Sequence, residues 1–303
     1  MSKPFDEPPV PGLDEAAARR WLQLPRQNSP WLHEEVARRM IDRLEWFREP
    51  PSNWLHWEPD LGGQQAHRAL RERLPGARVQ VWSDAAGARM NEQENGNGRR
   101  WNPLTWWRGS ERASRGGQDE TTEMLWANMV LHMQAHPLTL MRRWHQRIAV
   151  GGFLMFSCLG PDSLKELRDV YARESWPDAA HRFTDMHDWG DMLVQSGFAE
   201  PVMDMEQLTL TYSSASAMLD ELRGLGRNLS SSRFSGLRGR GWRARVEQAI
   251  EREGARAPDG RLVQSFQLIY GHAFKAERRS GSHDGTQSVS IDDMRTMLRT
   301  RRS

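Results

Sequence analysis

The apolar positions of this chain repeat with two different periods, and the changes between them outline a layered α/β fold. From Pro30 onward, Leu32, Val36, Met40 and Leu44 recur every four residues with charged residues between them. That is the stripe of an amphipathic helix, and Pro50-Pro51 ends it. Trp54-Leu55-His56-Trp57 then predicts a strand, Glu58–Gly63 a loop, QQAHRALRERL a helix closed by Pro75-Gly76, and Val79-Gln80-Val81-Trp82 a second strand. Strand, helix and strand in that order make one βαβ unit of a doubly wound sheet. MLWANMVL predicts a buried strand running into a loop. Pro137 opens a helix with Leu140, Met141, Trp144 and Ile148 on one face, and Gly151-Gly152 is expected to close it. FLMFSCL reads as the next strand, and SLKELRDVYA and DWGDMLVQSGF as helices. MEQLTLTYS and RLVQSFQLIYGHAF alternate in polarity and suit antiparallel strands that close such a sheet.

The punctuation between these runs predicts the domain organisation. Residues 1–29, rich in Pro, Asp and Arg, read as a flexible lead-in with one short helix near Ala16–Leu22. Residues 30–275 carry the periodic elements of one domain. Within it, 91–121 is polar and Gly-rich and predicts long mobile loops around a short strand at Trp101–Trp107. Residues 223–245 form an Arg-rich insert, and 276–303 a polar tail expected to be disordered.

Composition narrows the class. Of 303 residues, 38% are hydrophobic and 27% charged, which is a soluble globular balance. Lys and Arg total 42 against 40 Asp and Glu, a net charge of +2 that gives no ground for a nucleic-acid partner. The single cysteine, Cys158, forms no internal disulfide, sits in an apolar strand and reads as an inert core residue. The N-terminal run is no signal peptide and no stretch is long and apolar enough to span a membrane, so the expected location is the cytoplasm. The composition says nothing about oligomeric state.

Three stretches carry a family resemblance: PWLHEEVARRMIDRL, WANMVLHMQAHPLTLMRRWHQRIAVGGFLMFSCLGPDSLKELR and DMHDWGDMLVQSGFAEPVMDMEQLTLTYSS. Together they resemble the malonyl-acyl-carrier-protein O-methyltransferases, which mask a carboxylate early in biotin synthesis. The likeness covers most of residues 30–275, with a gap at 91–121. It implies a Rossmann-like class I methyltransferase fold: a mostly parallel sheet, helices on both faces and a terminal antiparallel hairpin. It further implies S-adenosylmethionine as methyl donor and an acyl carrier protein as partner.

In such a fold an acid and then Gly-x-Gly-x-Gly follow the first strand, so that backbone N–H groups meet the cofactor's methionine end. The matching run here is His56-Trp57-Glu58-Pro59-Asp60-Leu61-Gly62. The acid is His56, the first two glycines are Glu58 and Asp60, and only Gly62 keeps the pattern. Glu58 and Asp60 add side chains where glycine leaves room, and Pro59 removes a donor. A carboxylate about 5 Å from the cofactor's own costs roughly 3 kcal/mol at an effective dielectric near 20. Asp60 facing the cationic sulfonium and ammonium would offset part of that. The resemblance assigns cofactor contacts to Asp60, Gly62, Asp84 and Asn128. Asp84, at the end of the second strand, matches the acid that binds the ribose hydroxyls, although an Asp before AAGARM also suits a helix N-cap. Asn128, after the fourth strand, lines the substrate mouth or caps a turn. No catalytic residue stands out and none is required, because the sulfonium is already activated and the acceptor carboxylate is already a nucleophile. The altered turn leaves a second function open: a catalytically impaired pseudo-methyltransferase kept as a binding or regulatory protein.

Other candidates are weaker. His132 and His136 stand four apart, but Pro137 interrupts the helix and no third ligand has metal spacing. His181, Asp185, His187, Asp188 and Asp191 read as the capping region of a helix. Gly224-Leu225-Gly226 lacks the strand that a phosphate loop needs. The insert's seven arginines (Arg223, Arg227, Arg233, Arg238, Arg240, Arg243 and Arg245) read either as a solvated loop or as a docking patch for the carrier, since acyl carrier proteins are acidic.

Overall fold

A computed structural model of the chain describes residues 10–24, 26–83, 88–91, 121–234, 236 and 238–277. Its strands are β1 (Asn53–Trp57), β2 (Arg78–Ser83), β3 (Ala88–Asn91), β4 (Thr122–Ala127), β5 (Ile148–Leu159), β6 (Ala199–Tyr212) and β7 (Leu262–Phe274). They form one sheet in the order β3-β2-β1-β4-β5-β7-β6. β2, β1, β4 and β5 are parallel, β7 runs antiparallel between β5 and β6, and β3 is antiparallel to β2. All strands but β3 and β7 therefore point one way, and their carboxyl ends share one edge of the sheet. This is the expected α/β class: a Rossmann-like, mostly parallel sheet with a terminal antiparallel hairpin.

The helices are α1 (Glu15–Leu22), α2 (Trp31–Asp42), α3 (Pro59–Gly62), α4 (Gln64–Arg73), α5 (Pro137–Arg147), α6 (Lys165–Arg173), α7 (Met186–Gln195), α8 (Ala215–Leu225) and α9 (Arg240–Glu253). Alternate strand residues face opposite sides, so one strand feeds two cores. Leu55, Trp57, Leu125, Ala127, Leu154 and Phe156 pack with α1, α5 and α7. Trp54, Met124, Trp126, Phe153 and Met155 pack with α2 and α4. A third cluster joins α6, α8 and α9 to the ends of β6 and β7. The Asp185 carboxylate accepts from the His187 N–H at 2.9 Å, which makes it the N-cap that starts α7.

Several expectations need correction. Residues 10–24, assigned by composition to a flexible lead-in, are packed: Leu13, Ala18 and Trp21 are buried in the α1–α5–α7 core, and Leu13 bridges to Ser230. Three well-spaced apolar side chains outweigh the polar composition around them. Gly151-Gly152 does not close α5. The helix stops at Arg147 and both glycines lie within β5, where its register against β4 shifts and Gly151 takes φ +82°. The segment after Asp84 does not continue as a helix over Ala88–Asn91 but returns as a strand beside β2. The Arg-rich stretch is no single loop, because it contains the end of α8 and the start of α9. Most of the 91–121 region, with Trp101–Trp107, and most of the 276–303 tail lie outside the described residues.

Candidate functional site

The expected site lies at the carboxyl ends of β1 and β4. Glu58, directly after β1, has φ 54° and ψ 59°. This left-handed conformation is free for glycine and costs other residues roughly 1–2 kcal/mol. The chain thus carries a glutamate in a backbone conformation that glycine adopts freely. Glu58 is buried, its N–H donates to Trp82 O at 2.7 Å, and its carboxylate accepts from Ser83 Oγ at 3.1 Å. Pro59 then starts the four-residue α3, and Asp60 accepts from Gln64 Nε2 at 3.0 Å. Burial raises the Asp60 pKa, against the hydrogen bond from Gln64 and the field of Arg26.

Gly62 is required by close approach. A Cβ there would stand 2.9 Å from Asn128 O. Gly62→Ala is therefore expected to lower unfolding stability by about 1–3 kcal/mol, read as a shifted denaturant midpoint, because two backbone segments must part.

Most backbone donors of this turn are engaged within the protein. Leu61 and Gly62 donate to Glu58 O, Gly63 to Pro59 O and His67 to Gly63 O. The N-terminus of α4 is closed by two side chains from the segment leading into α2 and from α2 itself. Gln64 N–H donates to Ser29 Oγ at 3.1 Å, while Gln65 and Ala66 donate to the two carboxylate oxygens of Glu34 at 3.0 and 2.9 Å. Ser29 in turn donates to Glu34. A carboxylate on a helix N-terminus is where an anionic ligand would otherwise sit. Here the anion is the protein's own. A methionine-type carboxylate at the N-terminus of α4 would therefore have to displace Glu34. Glu34 and Ser29 were invisible to motif reading because they lie some thirty residues before the helix they cap.

Asn128 is fully buried and ties four elements together. Its Nδ2 donates to His33 O at 2.8 Å and to Gly62 O, and its Oδ1 accepts from Ser157 Oγ at 2.6 Å. The Met129 N–H donates to the same Ser157 hydroxyl at 3.1 Å. Asn128 thus does not line a mouth open to substrate, because its amide is consumed by α2, the β1–α4 turn and β5. Asp84 lies outside the described residues.

His56, in place of the family acid, is neutral: burial first, and then the nearby His67, hold its pKa well below the usual value. Its Nδ1 meets His67 Nδ1 at 3.0 Å, and its Nε2 is buried without a partner among the described residues. A bare ring nitrogen is cheaper to bury than an orphaned N–H, so His56 Nδ1 donates and His67 accepts. His33 is buried against Leu61 O at 2.8 Å, and burial pushes its pKa down to about 4. His132 is likewise shifted well below its ordinary value by burial, followed by His33 and His181. A histidine that stays neutral when folded protonates first in the unfolded chain. The stability it supports is present above pH 6.5 and is lost as pH falls toward the folded pKa. Moving from pH 7 to 5 is expected to cost about 2 kcal/mol for His33 alone, checked by denaturant titrations at the two pH values.

The remaining candidates do not converge on a second centre. His132 is buried edge-on to Phe183, and His136 stands 3.7 Å from Glu15. Among the described residues no group of three or more His, Cys, Asp or Glu side chains is arranged to hold a metal. Cys158 is fully buried and its thiol pKa is pushed up by that burial, against a hydrogen bond with Trp189. No helix among the described residues is long and apolar enough to cross a membrane.

No protein-family model matches the chain. Individual relatives do. The chain is 34% identical over 260 residues to the malonyl-[acyl-carrier protein] O-methyltransferase of Gallionella capsiferriformans (strain ES-2), covering 82% of this chain and 85% of that protein. It is 34% identical over 258 residues to the enzyme of the same name from Laribacter hongkongensis (strain HLHK9), covering 82% and 84%. The chain belongs to the malonyl-[acyl-carrier protein] O-methyltransferase family. Among solved structures, a putative methyltransferase from Bacillus halodurans C-125 aligns with a TM-score of 0.45 and 11% identity, over 80% of this chain and 99% of that one. Position 58 of this chain carries a glutamate in the left-handed backbone conformation that glycine adopts freely.

Proposed function

We propose that this chain carries out its family's reaction in the cytoplasm, esterifying the free carboxylate of a malonyl group held on an acyl carrier protein, with S-adenosylmethionine as methyl donor. The observation that carries the proposal is the one-third identity running through 82% of the chain, across the sheet and the helices on both its faces. The cofactor supplies an activated methyl group and the acceptor is itself the nucleophile, so the protein's task is to bind, orient and exclude water. The absence of an obvious acid–base residue is compatible with that chemistry. The methionine end is the point of tension, since most backbone donors at the β1–α4 turn are engaged and two carboxylates, Glu58 and Asp60, stand there.

Calorimetric titration of the full chain with S-adenosylmethionine tests the donor assignment. Saturable binding supports the reading, and a dissociation constant well above the micromolar range is expected for the closed turn. No heat at millimolar cofactor overturns it and leaves the chain as a non-catalytic binding relative of its family.

A further inference from the structure

The segment between β6 and β7 holds α8 and α9, and it stands at the same carboxyl edge of the sheet as the β1–α4 turn. It is firmly seated. Met218, Val246, Ala249 and Ile250 bury against Leu167, Val170 and Tyr212. The loop joining its helices is tied to the N-terminal segment by Asp14 N–H to Leu229 O and Ser231 N–H to Gly12 O, both 2.8 Å. The Arg227 guanidinium lies over Trp21, which also carries Arg26 on its ring. A path therefore runs from this insert across Trp21 toward Arg26, which feels the field of Glu58 and Asp60.

The arginines here divide into two groups. Arg233 pairs with Asp14 at 2.6 Å, and Arg243 with Asp220 and Glu247 at 2.8 and 2.7 Å. Arg238, Arg240 and Arg245 have no carboxylate partner among the described residues. Arg238 and Arg245 gather around one aromatic platform, and Arg240 opens α9 between them in sequence. The Arg238 guanidinium carbon lies 3.6 Å from the Trp242 ring centre and 4.5 Å from that of Phe234, and Arg245 lies 5.3 Å from Trp242. Trp242 is braced from behind by Trp176, 4.5 Å away at 61°. Phe234 is 49% exposed, and a shallow hollow of about 530 Å³ opens between it, Arg238, Trp242 and Arg245.

Stacking holds the guanidinium plane and leaves its N–H edge for an incoming carboxylate or phosphate. Trp and Arg are also among the residues most enriched at the energetic centres of protein interfaces. Nothing within the described fold uses this arrangement. Three like charges within eight residues, without a carboxylate partner, are a liability for the isolated chain, and an acidic partner offsets it.

We infer that the Phe234–Arg238–Trp242 platform, with Arg240 and Arg245, is the docking surface for the acidic carrier protein and that it grips the carrier's own acidic surface rather than its acyl group. The inference rests on the proposed reaction, because that reaction supplies a carrier as substrate. The test measures binding of the full-length chain to unacylated carrier, malonyl-carrier and a single-stranded oligonucleotide, at low and at raised salt. The chain carries Arg238→Glu, Arg240→Glu and Arg245→Glu together, or Arg68→Glu on the exposed face of α4 as the control. The triple reversal is expected to weaken both carrier forms at least tenfold and to flatten the salt dependence, while Arg68→Glu changes neither. Wild-type binding that survives the triple reversal overturns the docking surface and leaves the proposed reaction standing. Failure of the wild-type chain to bind either carrier form overturns both. Tighter wild-type binding of the oligonucleotide than of the carrier, lost in the triple variant, assigns the platform to nucleic acid and overturns the inference.

Discussion

Replacing Asn128 by Leu is expected to lower unfolding stability by about 3 kcal/mol or more, the largest loss expected from any single side chain at the site. The amide serves three buried groups at once: His33 O, Gly62 O and the Ser157 hydroxyl. Leu fills the space and satisfies none of them. Each buried polar group left without its partner costs about 1–3 kcal/mol, and the carbonyls, with a second lone pair, fall at the lower end. Asn128→Asp tests the same point differently, since an anion would face two carbonyl oxygens. Denaturant titration followed by tryptophan fluorescence reads both variants. Were Asn128 instead a contact to ligand only, its loss would leave the denaturant midpoint unchanged and weaken binding alone.

The second large effect concerns the turn after β1. Glu58→Gly with Asp60→Gly is expected to tighten S-adenosylmethionine binding by about tenfold or more per residue, since each removes a carboxylate whose repulsion of a like charge is worth roughly 3 kcal/mol before the cofactor's cationic groups offset part of it. The Glu58 change also releases the left-handed backbone at that position from its side-chain penalty. Glu34→Gln separates the contribution of the helix cap. It keeps an acceptor near the α4 N–H groups but removes the resident negative charge, so binding should strengthen while stability falls by about 1 kcal/mol or less. Unchanged affinity in both variants would mean that the methionine end is held away from this turn.

Much of the fold was legible because it depends on local period. The stripe in α2, the alternation in β6, and the Pro and Gly stops around α4 are short-range signals, and the structure follows them, whereas β7 lies between β5 and β6 and is buried almost throughout. The errors arose where long-range packing outweighed local composition. The polar N-terminal segment is docked by Leu13, Ala18 and Trp21, and Gly151-Gly152 serves a β5 bulge rather than a helix end. The candidate site was legible in what it lacks: substitution of the family glycines follows directly from the sequence. What replaced them was not. Glu34 and Ser29 reach α4 from an earlier segment, and Asn128 finds its partners on α2, the turn and β5. Only tertiary structure brings these residues together. Asp84, the one residue matched to the ribose end, lies outside the described residues and keeps its role as an expectation from resemblance.

The most direct measurement incubates malonyl-loaded carrier with methyl-labelled S-adenosylmethionine and the chain, in wild-type form and with glycine at positions 58 and 60, and follows label in a base-labile ester on the carrier. The account expects ester formation on malonyl-carrier and none on a carrier loaded with an acyl group lacking a free carboxylate, with the glycine variant saturating at lower cofactor concentration. No ester from either form at saturating cofactor would contradict it.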